Sequence, residues 1–205
     1  MHRWKFNEAS GNFADSVDSL ALTASGTINY QQTDPFGAAD AAQLATGQAL
    51  ASGMGSIPVG SAARTIVALV KVTPPMTQSQ STVFGYGTWS GDEYLEYKVQ
   101  ASGGCIGDQV DTGPSDMWNT VGPILSDNQW HLIALGVSTA YQAEVFVDGQ
   151  HVSHLGGSIN TGTGVNLGLN TFSQNMTFAD LAVFNVWLGG AKLAKLWDIV
   201  RAALD

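Results

Sequence analysis

Only one cysteine, Cys105, occurs in the 205 residues. An internal disulfide is therefore excluded, and so are thiolate zinc sites, which need more than one cysteine. Cys105 reads as a small buried hydrophobe, since no His or Lys lies close by in sequence to lower its pKa. Cations are also scarce. Lys and Arg total 8 against 17 Asp and Glu, for a net charge of −9. Phosphate binding needs a basic footprint, so nucleic acid is excluded as a partner, and an anionic membrane surface would repel the chain. The longest purely apolar run, Ile66 to Val70, falls far short of the roughly 20 residues of a spanning helix. No membrane insertion is expected. No apolar leader follows Met1, because His2-Arg3-Trp4-Lys5-Phe6 already alternates like a strand. The expectation is an intact domain made in a reducing cytoplasm. There is no repeat, no heptad and no block of charge.

What the chain does have is apolar substance in short pieces. Hydrophobic residues make up 44% and charged residues only 12%, with 24 glycines between the apolar runs. That pattern predicts an all-β body able to bury a sizeable core. Trp4 and Phe6 share one face of the first segment, with Arg3 and Lys5 on the other. Leu20 and Leu22, then Ile28 and Tyr30, alternate with small residues. Arg64 to Val72 is apolar on both faces, as a central strand should be. Thr82–Tyr86 and Tyr94–Val99 read as a hairpin with Trp89 at its tip, and Ser102–Ser126 reads as a long loop. Trp130–Val137 is a second core strand. Glu144–Val147 and His151–Leu155 flank Asp148-Gly149, a strong type I′ turn signal. Val165–Leu169 and Phe178–Trp187 complete the strands. After Gly189-Gly190 the period changes: Leu193, Leu196, Trp197, Val200 and Leu204 mark one face of an amphipathic helix over about 190–204. Its polar face is not strongly basic, so it is expected to seal the core rather than lie on a membrane.

These segments in this order resemble the laminin G-like, concanavalin A-like lectin and glucanase superfamily, in its pentraxin-like branch. Trp4-Lys5-Phe6-Asn7-Glu8-Ala9-Ser10-Gly11 is similar to the family's opening strand and turn. Arg64–Val72 is similar to its central strand, with Leu69 where Trp is common. Asp127-Asn128-Gln129-Trp130-His131-Leu132-Ile133-Ala134-Leu135 resembles its Gly-Gln-Trp-His-His-Val-Ala strand, and Val145-Phe146-Val147-Asp148-Gly149-Gln150 its Leu-Tyr-Val-Asp-Gly-Lys hairpin. Phe178–Trp197 resembles the closing strand and helix, with Ala179 in place of the usual Asp and Asp180 where Glu is usual. The resemblance covers nearly the whole chain. It implies residues 1–205 as a single two-sheet antiparallel jelly-roll sandwich with a C-terminal amphipathic helix. The fold hosts lectins, hydrolases and structural modules alike, so it does not decide function.

The family's glucanases carry Glu-x-Asp-x-x-Glu on one strand, so that two carboxylates flank a glycosidic bond. Asp92-Glu93-Tyr94-Leu95-Glu96 has the wrong spacing, because alternation sends Glu93 and Glu96 to opposite faces; a solvated strand end is the expected role. His131 reads as structural, and His151 and His154, three residues apart, are expected on opposite faces. No nucleophile elbow is present, so no enzyme is expected. Asp15 and Asp18 in one loop, and Asp108, Asp111 and Asp116 in another, match no defined calcium motif; no cofactor is expected, with one structural calcium ion left open. Glycan binding needs exposed aromatic faces beside polar groups. Trp89, flanked by Tyr86 and Tyr94, and Trp118 are the candidate ligand-binding residues; the alternative is that they plug loops or meet a neighbouring subunit.

A recognition fold without disulfides suits a virion protein, which assembles in a reducing host cytoplasm and works outside the cell. The expected function is thus a non-catalytic surface module. It would be a bacteriophage head or tail decoration at the virion surface, docking on a protein shell or self-associating, and able to contact host-surface glycans. The alternative is an extracellular lectin or carbohydrate-binding module from a secreted multidomain protein.

Overall fold

The computed structural model describes residues 1–51, 56–74, 80–87, 94–100, 108–111, 118–119, 125, 127–138, 142–156, 160–163, 165–170 and 175–205. Among these residues thirteen strands precede one helix: β1 (His2–Trp4), β2 (Leu22–Gln32), β3 (Ala41–Ala51), β4 (Arg64–Thr73), β5 (Gln80–Gly87), β6 (Tyr94–Gln100), β7 (Asp108–Asp111), β8 (Trp118–Asn119), β9 (Trp130–Ser138), β10 (Gln142–Val147), β11 (Gln150–Gly156), β12 (Val165–Asn170), β13 (Asn175–Phe184) and α1 (Gly190–Leu204). The strand pairings are antiparallel.

The hydrogen-bonded order is β11-β10-β9-β4-β13-β3-β12-β5-β6-β7-β8, with β1 on β13 and β2 on β3. This ribbon folds back on itself at β13. Along one edge β13 pairs first with β3, through Met176–Phe178, and then with β1, through Leu181–Val183. Its other edge follows β4 from Asn175 to Phe184. Phe84, Tyr97 and Val99 of the β5–β6 layer therefore meet Ile133, Leu135 and Val145 of the β9–β10 layer in one buried core. Two antiparallel layers packed face to face form the expected jelly-roll sandwich. Trp4, Phe6 and Phe13 plug one end of it, with the Phe6 and Phe13 ring centroids 4.7 Å apart.

Strand β4 is buried from Arg64 to Val70, between β9 and β13, as its two-faced apolar pattern predicts. In β9 the alternation holds. Trp130, Leu132 and Ala134 face outward into a second apolar cluster, while Ile133, Leu135 and Val137 face the sandwich core. Asp148 and Gly149 take the two positive φ values of the predicted turn, 53° and 74°.

Two features differ from the sequence reading. Strand β3 was not anticipated, because Ala41-Ala42-Gln43-Leu44-Ala45-Thr46-Gly47 is too small-residued to show strand propensity. Its place is set by partners on both sides, β2 and β13. The predicted loop Ser102–Ser126 contains β7 and β8, which extend the β5–β6 layer; Cys105 lies outside the described residues.

The helix forms where predicted, and its target is a surface the sequence did not reveal. Leu193 and Val200 are buried, with Leu196 and Trp197 packed beside them against Val67, Leu69, Trp130, Leu132 and Phe146. α1 thus covers the outer face of the β4–β9–β10 layer and not the core between the layers. Leu204, at the end of the stripe, is exposed.

Candidate functional site

Tyr86 is fully buried, its hydroxyl donates to the Pro58 carbonyl at 2.9 Å, and the Arg64 guanidinium lies 5.7 Å from its ring centre. Burial pushes its phenol pKa well above the ordinary value. Tyr86 is therefore a strut between β5 and the loop before β4, with no face turned to solvent. The backbone of Tyr94 pairs with Gly87, and that of Trp118 pairs with Gln109. Trp89, at the expected hairpin tip, lies outside the described residues, as do Glu93 and Asp116.

Glu96 corrects the expectation of a solvated strand end. It is 2% exposed, its Oε2 lies 2.8 Å from Lys98 Nζ, and it accepts a hydrogen bond from the Thr82 hydroxyl. The register pairs Lys98 with Thr82, so the three polar groups share one face of the β5–β6 layer. A carboxylate neutralised in this way is a structural charge pair, not half of an acid–base couple.

The histidines also depart from simple alternation. A bulge between Val145 and Phe146 sets Phe146 opposite His151 and Val145 opposite Ser153, leaving Val152 as the extra residue. One inserted residue flips parity, so His151 and His154 stack on the same side with ring centroids 6.4 Å apart. His131 is structural, as expected. Its Nδ1 is 2.8 Å from Asp148 Oδ2 and its Nε2 is 3.1 Å from Asp127 Oδ1. Burial opposes its protonation, but the two carboxylates outweigh that and raise its pKa above the usual histidine range.

Asp15 and Asp18, the acids of the first loop, are engaged by protein donors. Asp15 accepts from the Arg3 and Val17 backbone N–H groups at 3.0 and 2.9 Å, and its Oδ2 lies 2.6 Å from His2 Nδ1. Burial works against its ionisation, yet these bonds hold its pKa below the ordinary carboxylate value. Among the described residues no group of three or more His, Cys, Asp or Glu is placed to hold a metal.

A concave apolar feature lies elsewhere among the described residues, on the outer face that α1 only partly covers. A groove of about 250 Å³ runs between the helix and the N-terminal strand. Val67, Leu69, Leu132 and Ala182 form its floor; Leu196, Ile199 and Val200 form the helix wall. Met1, Arg3 and Phe36 stand opposite. Ile199 is 63% exposed, Phe36 55% and Met1 45%, so the rim is apolar and open to water. At its edge the Arg3 guanidinium forks onto the Asp180 carboxylate, with Nε 2.9 and 3.1 Å from the two oxygens. Asp180 reaches that position through a second bulge. Between Phe178 and Asp180 the register slips by one residue, so Leu181 and Val183 join Phe178 in the core while Ala179 and Ala182 face outward. The sequence reading missed this groove. Its sole linear trace is the apolar parity of Val67, Leu69 and Leu132 on a face that strand alternation alone leaves uncovered.

No protein-family model matches the chain, and no curated protein matches its sequence. Solved structures do match it. The binding domain of botulinum neurotoxin DC in complex with rat synaptotagmin II aligns at TM-score 0.69 and 10% identity, over 98% of this chain and 51% of that chain. A structure reported as showing that cell entry of botulinum neurotoxin type C depends upon interaction with two ganglioside molecules aligns at TM-score 0.68 and 10% identity, over 98% and 51%. A further receptor-binding domain aligns at TM-score 0.70 and 10% identity, over 98% and 50%. The chain spans about half the length of these structures, and what it shares with them is the fold, an antiparallel β-sandwich.

Proposed function

We propose that the chain is a non-catalytic recognition module that docks on a protein shell, as a surface decoration of a virus particle such as a bacteriophage head or tail. The observation that carries this reading is the open apolar groove beside α1, rimmed by Met1, Phe36 and Ile199. Contiguous exposed apolar surface around a concavity marks an interaction site. The commitment of Glu96, Asp15 and Asp148 to structural partners supports a binding role over hydrolysis. A single cysteine fits a protein assembled in a reducing host cytoplasm. The test is assembly: the purified protein should co-sediment with particles lacking it and restore their surface density, and failure to bind them removes the shell role.

A second reading, an extracellular lectin or carbohydrate-binding module, is favoured by one observation. A neighbour of the same fold is reported to interact with ganglioside molecules. Trp89 and Trp118, with Tyr94, are then the proposed glycan contacts; Tyr86, buried against Pro58 and Arg64, is not one of them. Trp89→Ala and Trp118→Ala should each abolish binding on a glycan array, and an array without hits for the intact chain rejects this reading.

A further inference from the structure

The chain has four histidines, and the fold divides them into two kinds. His2 and His131 are buried, and both ring nitrogens of each are engaged: by Asp15 and Ser56 in the first, by Asp148 and Asp127 in the second. His151 and His154 are exposed, and their ring nitrogens bond to no other described residue. Both lie on β11, at one end of the strand order, and the bulge at Val152 turns them to the same side. That bulge is anchored. Val152 packs against the sandwich core, and the buried Phe146 ring meets the His151 ring edge-on, 5.2 Å between centroids. The two imidazoles are thus brought together by the fold itself.

Their separation suits a shared ion. A metal about 2.0–2.1 Å from one nitrogen of each ring sets the ring centres roughly 5–6.5 Å apart. Those of His151 and His154 are 6.4 Å apart. The terminal torsion of histidine is broad, so the nitrogens can turn toward one point at little cost. The surroundings also favour a cation. Glu144 is the cross-strand partner of His154, on the same face, and forms no ion pair with another described residue. The chain as a whole carries −9. Imidazole suits zinc, nickel and copper, whereas calcium and magnesium take oxygen ligands. Among the described residues no third side chain completes a ligand set, so water fills the remaining positions.

We infer that His151 and His154 form a two-imidazole site for a borderline divalent cation of the zinc and nickel class, on the outer face of β11. The ion bridges the two residues across the bulge and holds β11 in register on β10. This site goes beyond the recognition-module reading and does not depend on it.

The test uses the intact, untagged chain stripped with EDTA, with zinc chloride, nickel chloride and calcium chloride as probes. Isothermal titration should show one zinc or nickel ion bound per chain and no calcium. Hydrogen exchange in β11 should slow when zinc is present. His151→Ala and His154→Ala should each weaken zinc binding about a hundredfold, because each leaves one ligand where a chelating pair stood. Both side chains are exposed, so the metal-free variants should melt with the wild type, and a folding defect is separable from lost binding. Proton NMR of the wild type needs no variant: zinc should move the imidazole signals of His151 and His154 and leave those of His2 and His131 in place. A wild type that binds neither zinc nor nickel overturns the inference. So does zinc binding undiminished in either single variant, or zinc-induced shifts confined to His2 or His131.

Discussion

The two layers of the sandwich turn opposite kinds of outer face away from their shared core. On the β4–β9 side that face is apolar. Val67, Leu69, Trp130, Leu132 and Ala134 need a cover, and α1 supplies most of one. On the β5–β6 side the described outward groups are polar and buried, with Glu96, Lys98 and Thr82 satisfying one another. The difference is one of residual valence. A buried ion pair is closed, since each charge has its partner and removing either is costly. An apolar face has no such closure, and whatever the helix leaves bare remains free to take another surface.

The comparison can be broken first at the closed face. Lys98→Met leaves a buried carboxylate without its cation and should cost about 3–5 kcal/mol, whereas Glu96→Leu with Lys98→Met together should recover most of that loss. Urea unfolding of the three proteins decides it; a single variant as stable as wild type would deny that the pair is buried. The apolar face should give next. Leu193→Ala removes a fully buried helix anchor and should cost about 2–4 kcal/mol in the same assay, with an increase in dye binding to the uncovered strands. Gly149→Ala attacks the same docking from below. A Cβ there would sit 2.8 Å from the Ala194 Cα, at a φ of +74°, so the turn and the helix cannot both keep their places. About 2 kcal/mol is expected, together with loss of α1 signal by hydrogen exchange.

The smallest effect is electrostatic. The folded state raises the His131 pKa, so His131 contributes stability that is fully present below its unfolded value of about 6.5 and is lost as pH rises through the higher folded value. The stability difference between wild type and His131→Gln should therefore be greatest in mild acid and shrink in mild alkali. A difference that grows with pH would contradict the Asp148 and Asp127 clamp.

Much of the fold was legible because it follows local period. The two-faced β4, the alternating β9, the Asp148-Gly149 turn and the helical stripe from Leu193 to Val200 each emerged as read. One error falls where a single residue changes phase: the bulge at Val152 put His151 and His154 together. The bulge at Ala179 likewise turned Asp180 out toward Arg3, a placement on which alternation was silent. A bulge has no signature of its own in alternation; it is set by the partner strand's register. Tyr86 and Glu96 were misjudged for a related reason: amphipathic and charged side chains are compatible with either solvent or a satisfied interior. Of the four candidate ligand residues, the structure thus placed Tyr86 in the interior, and the groove came from no motif at all.

Residue order alone was enough to dictate the class of the fold, most of its core strands and its closing helix, because periods of two and of about 3.6 residues commit side chains to faces wherever the chain ends up. Which face the helix covers, how much apolar surface it leaves open, and which charges find partners depended on distant segments. Arg3 meets Asp180 across 177 positions of sequence, and such neighbours exist only once the two layers have closed on each other.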